Sequence, residues 1–311
     1  MNRSGRPSRT MLAVTLMLAT VTGCATIGDR GQPLVPSRPQ PRIGPFVVFT
    51  NQPQTGEDST IRLLSTLRAE VETTLGLHVE PDAPPIEVYI LDDRKAFEHF
   101  LTFYYPELPQ RRAFFIAQGS RRVVYTFKGE RLSEDLRHEA THALLSLAVG
   151  DLPLWLDEGL AEYFEDADGH GVNREHLARL PRDIEEGWLP DLTHLESLKA
   201  VRQMSPRDYR EAWSWVHYLL DDPTIGRTAL LGYLGDLREA KDQTSLSKRM
   251  SIEPAQASKA MRAHLATIKP PESIATAPTV RMQDAATGPE PMAGPPKRRS
   301  FFDRLFGKPS R

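Results

Sequence analysis

Along this chain the apolar residues first fall in short β-branched and aromatic runs, and from about residue 133 onward recur mainly at spacings of three and four. "FVVFT" at 46–50 predicts a strand, because an aliphatic and aromatic run that short suits a buried pleat. After a polar turn, Ile61, Leu64, Leu67, Val71 and Leu75 share one helical face and predict a helix over 58–77. "IEVYIL" at 86–91 predicts a second strand, with helix resuming over 95–103. "AFFIAQGSRRVVYTF" at 113–127 holds two strand-like runs around Gln118, Gly119 and Ser120, which is a hairpin signal. Its second run, 123–127, is open to two readings: a sheet edge along which an extended peptide could pair, or an interior strand.

Helical periodicity governs the rest. Ser133, followed by Glu134 and Asp135, marks a helix start with acids in the first turn, and the helix runs to about Val149 before Gly150 stops it. Pro153 opens a second helix, "PLWLDEGLAEYFE". Further helices are predicted over 207–220, 227–240 and 254–267. No internal repeat is visible, and strands preceding helices predict an α+β domain over 46–268 with a small N-terminal mixed sheet and a helical C-terminal part.

Composition changes that picture only at the ends. Lys plus Arg (39) nearly balance Asp plus Glu (41), so no bulk charge points to nucleic acid. Of 26 prolines, five fall in 32–45 and eight in 270–309, marking a tether and a Pro-rich, disordered tail over 269–311. The tail ends in "KRRSFFDRLFGKPSR", where Phe301, Phe302, Leu305 and Phe306 interleave with basic residues, a pattern able to contact an anionic surface or a protein. At the other end, Arg3, Arg6 and Arg9 precede an apolar run over 11–21 that is too short to span a bilayer but suits a secretory signal. Cys24 is the only cysteine, so no internal disulfide can form.

"VTGC" resembles a bacterial lipobox. The resemblance implies a signal peptide over 1–23, a lipid on Cys24 and a Pro-rich membrane tether over 24–45. Ala25 after the cysteine, by the same resemblance, implies the outer membrane and a protein facing the periplasm.

The candidate chemistry lies in "LRHEATH", 136–142. Residues four apart stack on one helix face, so His138 and His142 can aim two imidazoles at one ion. Glu139, turned about 100° around the axis, is no third ligand on that face but can reach water at the metal. Zinc suits such donors, and a catalytic zinc takes three protein ligands. The second helix supplies Glu158 and Glu162. From His142 the chain climbs about 10 Å to Val149 and returns about 8 Å to Glu158 or about 14 Å to Glu162, so helix geometry alone admits either carboxylate.

"HEATH" followed by "WLDEGLAEYF" resembles the gluzincin metallopeptidases of the peptidase MA-like superfamily, and most closely its short bacterial lipoprotein members. The resemblance spans about 46–268, with its specificity concentrated in 138–164. It implies a zincin-like fold, Zn2+ held by His138, His142 and Glu158, Glu139 as the catalytic base, and Glu162 as an acid that orients a ligand histidine. Fifteen residues separate His142 from Glu158, fewer than in the well-studied aminopeptidase members, and no Gly-x-Met-Glu-Asn stretch occurs, which disfavours an aminopeptidase and leaves an endopeptidase.

The reaction expected is zinc-dependent hydrolysis of a peptide or protein substrate, with an oxyanion stabiliser worth roughly 3 to 4 kcal/mol. "YREAWSWVHYLL" offers Tyr209, His217 and Tyr218 for that role, and the family's habit of placing a Tyr or His over the metal favours Tyr209. The alternative is a catalytically inactive lipoprotein of the same fold that binds peptides or braces an envelope assembly. His170 and His176 read as solvated loop residues, and His78, His99, His194 and His264 receive no role.

Overall fold

The computed structural model describes residues 34–51, 59–80, 82–106, 108, 111–167, 171–241 and 244–269. The signal segment, Cys24, the start of the tether, His170 and the tail beyond Lys269 lie outside the described residues.

The fold is α+β. Strands β1 (Phe46–Phe49), β2 (Ile86–Leu91), β3 (Phe114–Gln118) and β4 (Arg121–Phe127) form one sheet in the order β1-β2-β4-β3. β1 pairs parallel with β2 and β2 parallel with β4, while β3 and β4 form the antiparallel hairpin expected around Gly119. Helix α1 (Ser59–Leu75) makes the β1-to-β2 crossover, and α2 (Arg94–Tyr104) follows β2. β4 is therefore an interior strand, and the strand with a free edge on its side of the sheet is β3.

Alternation along the strands gives each face its own core. Ile86, Val88, Ile90 and Val124 face a large cluster built with Leu64, Leu67 and Val71 of α1. Leu91, Val123 and Tyr125 face a smaller aromatic cluster with Phe97 and Phe100 of α2 and Phe114 of β3.

The larger cluster continues through α3 (Leu132–Ala148), α4 (Leu154–Phe164), α7 (Pro206–Asp221), α8 (Gly226–Arg238) and α10 (Pro254–Leu265). α7 begins with a capping box at Ser205 and Asp208, and Pro206 follows the cap, where its missing N–H costs nothing. α3 starts one residue earlier than the sequence predicts, after Arg131, and no side chain caps it.

Three helices are absent from the sequence reading. α5 (Arg174–Glu185) carries Pro181 inside it and buries only Leu180 and Asp183, so its thin stripe of Leu177, Leu180 and Ile184 is interrupted by a helix breaker. α6 (Leu192–Ser197) and α9 (Leu246–Arg249) are too short for periodicity to register. Among the described residues no helix is long and apolar enough to cross a membrane.

Candidate metal centre

Two backbone devices bring α4 alongside α3. Gly150 takes φ +98 just past the end of α3, where its N–H and that of Val149 both bond Leu145 O, and Pro153 precedes the first turn of α4. Gly159 settles α4 against α7: a Cβ there would lie 2.6 Å from Ala212 O, a contact that backbone cannot yield. Arg137 ties the pair from below. Fully buried, it donates from Nε to Phe164 O at 2.8 Å and from Nη2 to Glu70 Oε2 at 2.5 Å, linking α3 to the end of α4 and to α1.

This framework draws His138, His142 and Glu158 together. The Nε2 atoms of the two histidines lie 3.2 Å apart, and Glu158 Oε2 lies 3.8 Å from each. The corners of a triangle with those edges stand about 2.1 Å from a common centre, the length of a zinc bond to nitrogen or oxygen. Two imidazoles and one carboxylate are also the donor types that zinc prefers, so the residues fit the ion.

The outward-facing ring nitrogens face acids, in hydrogen-bonding geometry at His138 and at ion-pair distance at His142. His138 Nδ1 lies 3.1 Å from Glu165 Oε2, and His142 Nδ1 lies 3.0 Å from Asp157 Oδ1. An Nδ1–H donated toward a carboxylate leaves the Nε2 lone pair facing the centre of the triangle. Glu162 stands close to His138 and Glu165, but it accepts a hydrogen bond from Asn173 Nδ2 at 2.8 Å and lies 3.1 Å from His176 Nε2. Sequence reasoning assigned the orienting role to Glu162 and passed over Asp157 and Glu165. The signal available was the i, i+8 spacing of Asp157 and Glu165, within and just past α4, flanking the two acids already noted.

The field in this corner favours positive charge. Burial opposes charging His138, but the Glu165 hydrogen bond and the charges of Glu139, Glu162 and Glu165 outweigh it and raise the imidazole to about 10. For His142 burial is likewise outweighed by Asp157 and Glu158, and the ring is raised to about 9. Burial, partly offset by the two imidazoles, pushes the Glu158 carboxyl up. The same acids that raise these imidazoles give the corner a field that favours cations, and a metal ion there would have to displace the protons.

The triangle opens into a cavity of about 1170 Å³. Glu139 of α3, Tyr209 of α7, and Ala113, Phe114, Phe115 and Ile116 of edge strand β3 all line it. The Phe115 ring lies nearly parallel to that of His142, with centroids 6.5 Å apart. Burial first, then the charge of Glu158, drives the Tyr209 hydroxyl well above the ordinary tyrosine range, so it stays a donor.

The other candidates go elsewhere. His217 sits in the core with Nδ1 2.9 Å from His264 Nε2, and Tyr218 packs on Trp215 and His264; neither lines the cavity. His194 pairs with Asp208. His176 corrects the sequence reading: it belongs to the first turn of α5, capped by Asn173, and lines the cavity rather than a solvated loop. The "N-R-E-H" start after a glycine was the cap signal that could have found it.

A family model described as a protein of unknown function (DUF1570) matches residues 134–241. That span takes in His138, Glu139, His142, Glu158, Glu162 and Tyr209. No curated protein matches the chain.

Proposed function

We propose that this protein is a zinc-dependent peptide hydrolase of the bacterial cell envelope, a short relative of the gluzincin metallopeptidases held to the membrane by a lipid on Cys24. The observation that carries the reading is the triangle of His138 Nε2, His142 Nε2 and Glu158 Oε2, whose edges of 3.2, 3.8 and 3.8 Å suit one zinc ion. The apolar run and "VTGC" ahead of Cys24 support the location.

When bound, zinc supplies a Lewis acid that acidifies water and polarises a carbonyl. The chain's own residues do the rest. Glu139, on the same helix as the two histidines and rotated off their face, takes the proton of the attacking water and returns it to the leaving amine. Tyr209, kept protonated by burial and by Glu158, donates to the oxygen that becomes anionic, a contribution of roughly 3 to 4 kcal/mol for such donors. Glu165 and Asp157 fix the imidazole orientations. Edge strand β3 offers main-chain groups to an extended peptide beside the site, which supplies affinity through backbone hydrogen bonds.

The test is cleavage of a peptide library by the zinc-loaded wild type and by Glu139→Gln at matched zinc content. Loss of the general base should cost about 10² to 10⁴ in rate. Zinc without Glu139-dependent cleavage would leave the alternative reading, a peptide-binding or assembly module on the same fold.

A further inference from the structure

The same cavity has a second chemical character that zinc does not use. Eight arginines line it and, among the described lining residues, no lysine. Five acids cluster at the triangle (Glu139, Asp157, Glu158, Glu162 and Glu165), and the remaining lining holds those eight arginines against four acids, Asp135, Glu175, Asp183 and Glu186.

The arginines come from separate parts of the chain. Arg111 and Arg112 precede β3, Arg179 and Arg182 belong to α5, and Arg207 and Arg210 to the first turns of α7. Arg94 and Arg131 are paired with Glu98 and Glu134 outside the lining, so the surplus rests on the α5 and α7 arginines. Arg182, Arg207 and Arg210 share two carboxylates: Glu186 lies 2.9 Å from Arg182 and 2.8 Å from Arg207, while Asp183 takes both forks of Arg210 at 2.7 and 3.0 Å and lies 3.4 Å from Arg207. Arg179 is exposed and, among the described residues, carries no ion pair. Arg112 is held by Asp135 at 2.9 Å and feels the charge of Glu165, and the charge of Arg111 reaches the Tyr209 hydroxyl, so both lie next to the site.

A guanidinium presents a planar fork that matches a carboxylate in two hydrogen bonds, which an ammonium does not. A wall whose cationic groups are all arginine, beside a peptide-pairing edge, is an arrangement suited to reading side-chain carboxylates. We infer that the substrate is an acidic peptide, its Asp and Glu side chains held by the arginine surplus around Arg179 and Arg207 while its backbone lies near the metal triangle. This rests on the hydrolase reading for the metal, but not for the binding.

The experiment uses the zinc-loaded full chain carrying Glu139→Gln and fluorescein-labelled peptides alternating Glu and Ala, Gln and Ala, or Lys and Ala. All are capped at the carboxyl end so that only side chains are charged. The Glu peptide should bind about tenfold tighter than the Gln peptide, a difference of about 1.4 kcal/mol, and more weakly as salt rises. Arg179→Glu combined with Arg207→Glu should erase the difference at unchanged zinc content. Equal binding of Glu and Gln peptides, a preference that survives the double reversal, or equal binding of an oligothymidylate of matching charge would each overturn it. Tight Glu-peptide binding with no cleavage by wild type sinks the hydrolase and leaves this inference. Cleavage with no acidic preference does the reverse.

Discussion

His138 and His142 bring ring nitrogens to 3.2 Å of each other, and His217 and His264 bring theirs to 2.9 Å, yet the two pairs sit in opposite fields. Around the first stand Glu139, Asp157, Glu158, Glu162 and Glu165, which raise the imidazoles to about 10 and about 9 against the cost of burial. Around the second stand Trp213, Tyr163 and Tyr218, with Asp221 at 3.5 Å from His264 as the near carboxylate. There burial prevails: it lowers His217 to about 4, helped by His264, and lowers His264 as well. Two imidazoles in contact are thus no metal site in themselves. The third donor and the acids behind the rings make the difference, giving one pair a field that favours positive charge and leaving the other a neutral core hydrogen bond.

The largest separation between the pairs should come from pH. Zinc must displace the protons held by His138 and His142, so its affinity should fall by up to about a hundredfold per pH unit below about 9, measurable by competition with a chelating dye. In the metal-free chain these raised groups contribute stability that is fully present below the ordinary histidine value and is lost as pH climbs through 9 and 10. His217 has the opposite sign: its depressed value means that stability is present above the ordinary histidine value, about 6.5, and is lost as pH falls toward 4. Urea unfolding of the metal-free chain should therefore weaken at both ends, and His217→Leu should flatten the acid limb by up to about 3 kcal/mol relative to wild type. An acid limb that is unchanged in His217→Leu would show that the core pair is protonated in the native state.

A smaller effect should follow from removing the acids behind the site. Asp157→Asn and Glu165→Gln keep the side-chain shape and remove the charge facing His142 and His138, and each should weaken zinc by about 10- to 100-fold. Titrations that match wild type would mean that the rings are held by packing alone.

Much of this site is legible in the sequence, and the misses have physical causes. His138, Glu139 and His142 declare themselves because helix periodicity converts spacing into a shared face, and a short reversal set by the glycine and proline returns Glu158 and Glu162 to their level, with the family resemblance singling out Glu158. The choice between Glu158 and Glu162 needed more than rise per residue, since both return to the histidine level. Asn173 and His176, which engage Glu162 from the next element, lie in a stretch where Pro181 and a thin apolar face conceal α5. The arginine lining is hidden for another reason: its members are far apart in the chain and converge only when α5, α7 and the approach to β3 are placed together. The interior position of β4 was undecided for the same reason, since strand order is a property of the sheet and not of a strand's own residues.

The smallest effect tests the packing that places the third ligand. Gly159→Ala sets a methyl group 2.6 Å from Ala212 O and must push α4 off α7, at a cost of about 1 to 3 kcal/mol. Because Glu158 is the preceding residue, zinc affinity should fall together with the melting temperature, whereas a change in melting temperature alone would detach the ligand from that contact.

Whether His138, His142 and Glu158 hold zinc is decided by calorimetric titration of the ion into the metal-free full chain, comparing wild type with His142→Ala and His217→Ala. One tight site per chain is expected in wild type, none in His142→Ala and an undiminished site in His217→Ala. A wild type that takes up no zinc, or a His142→Ala chain that binds it as tightly as wild type, would contradict it.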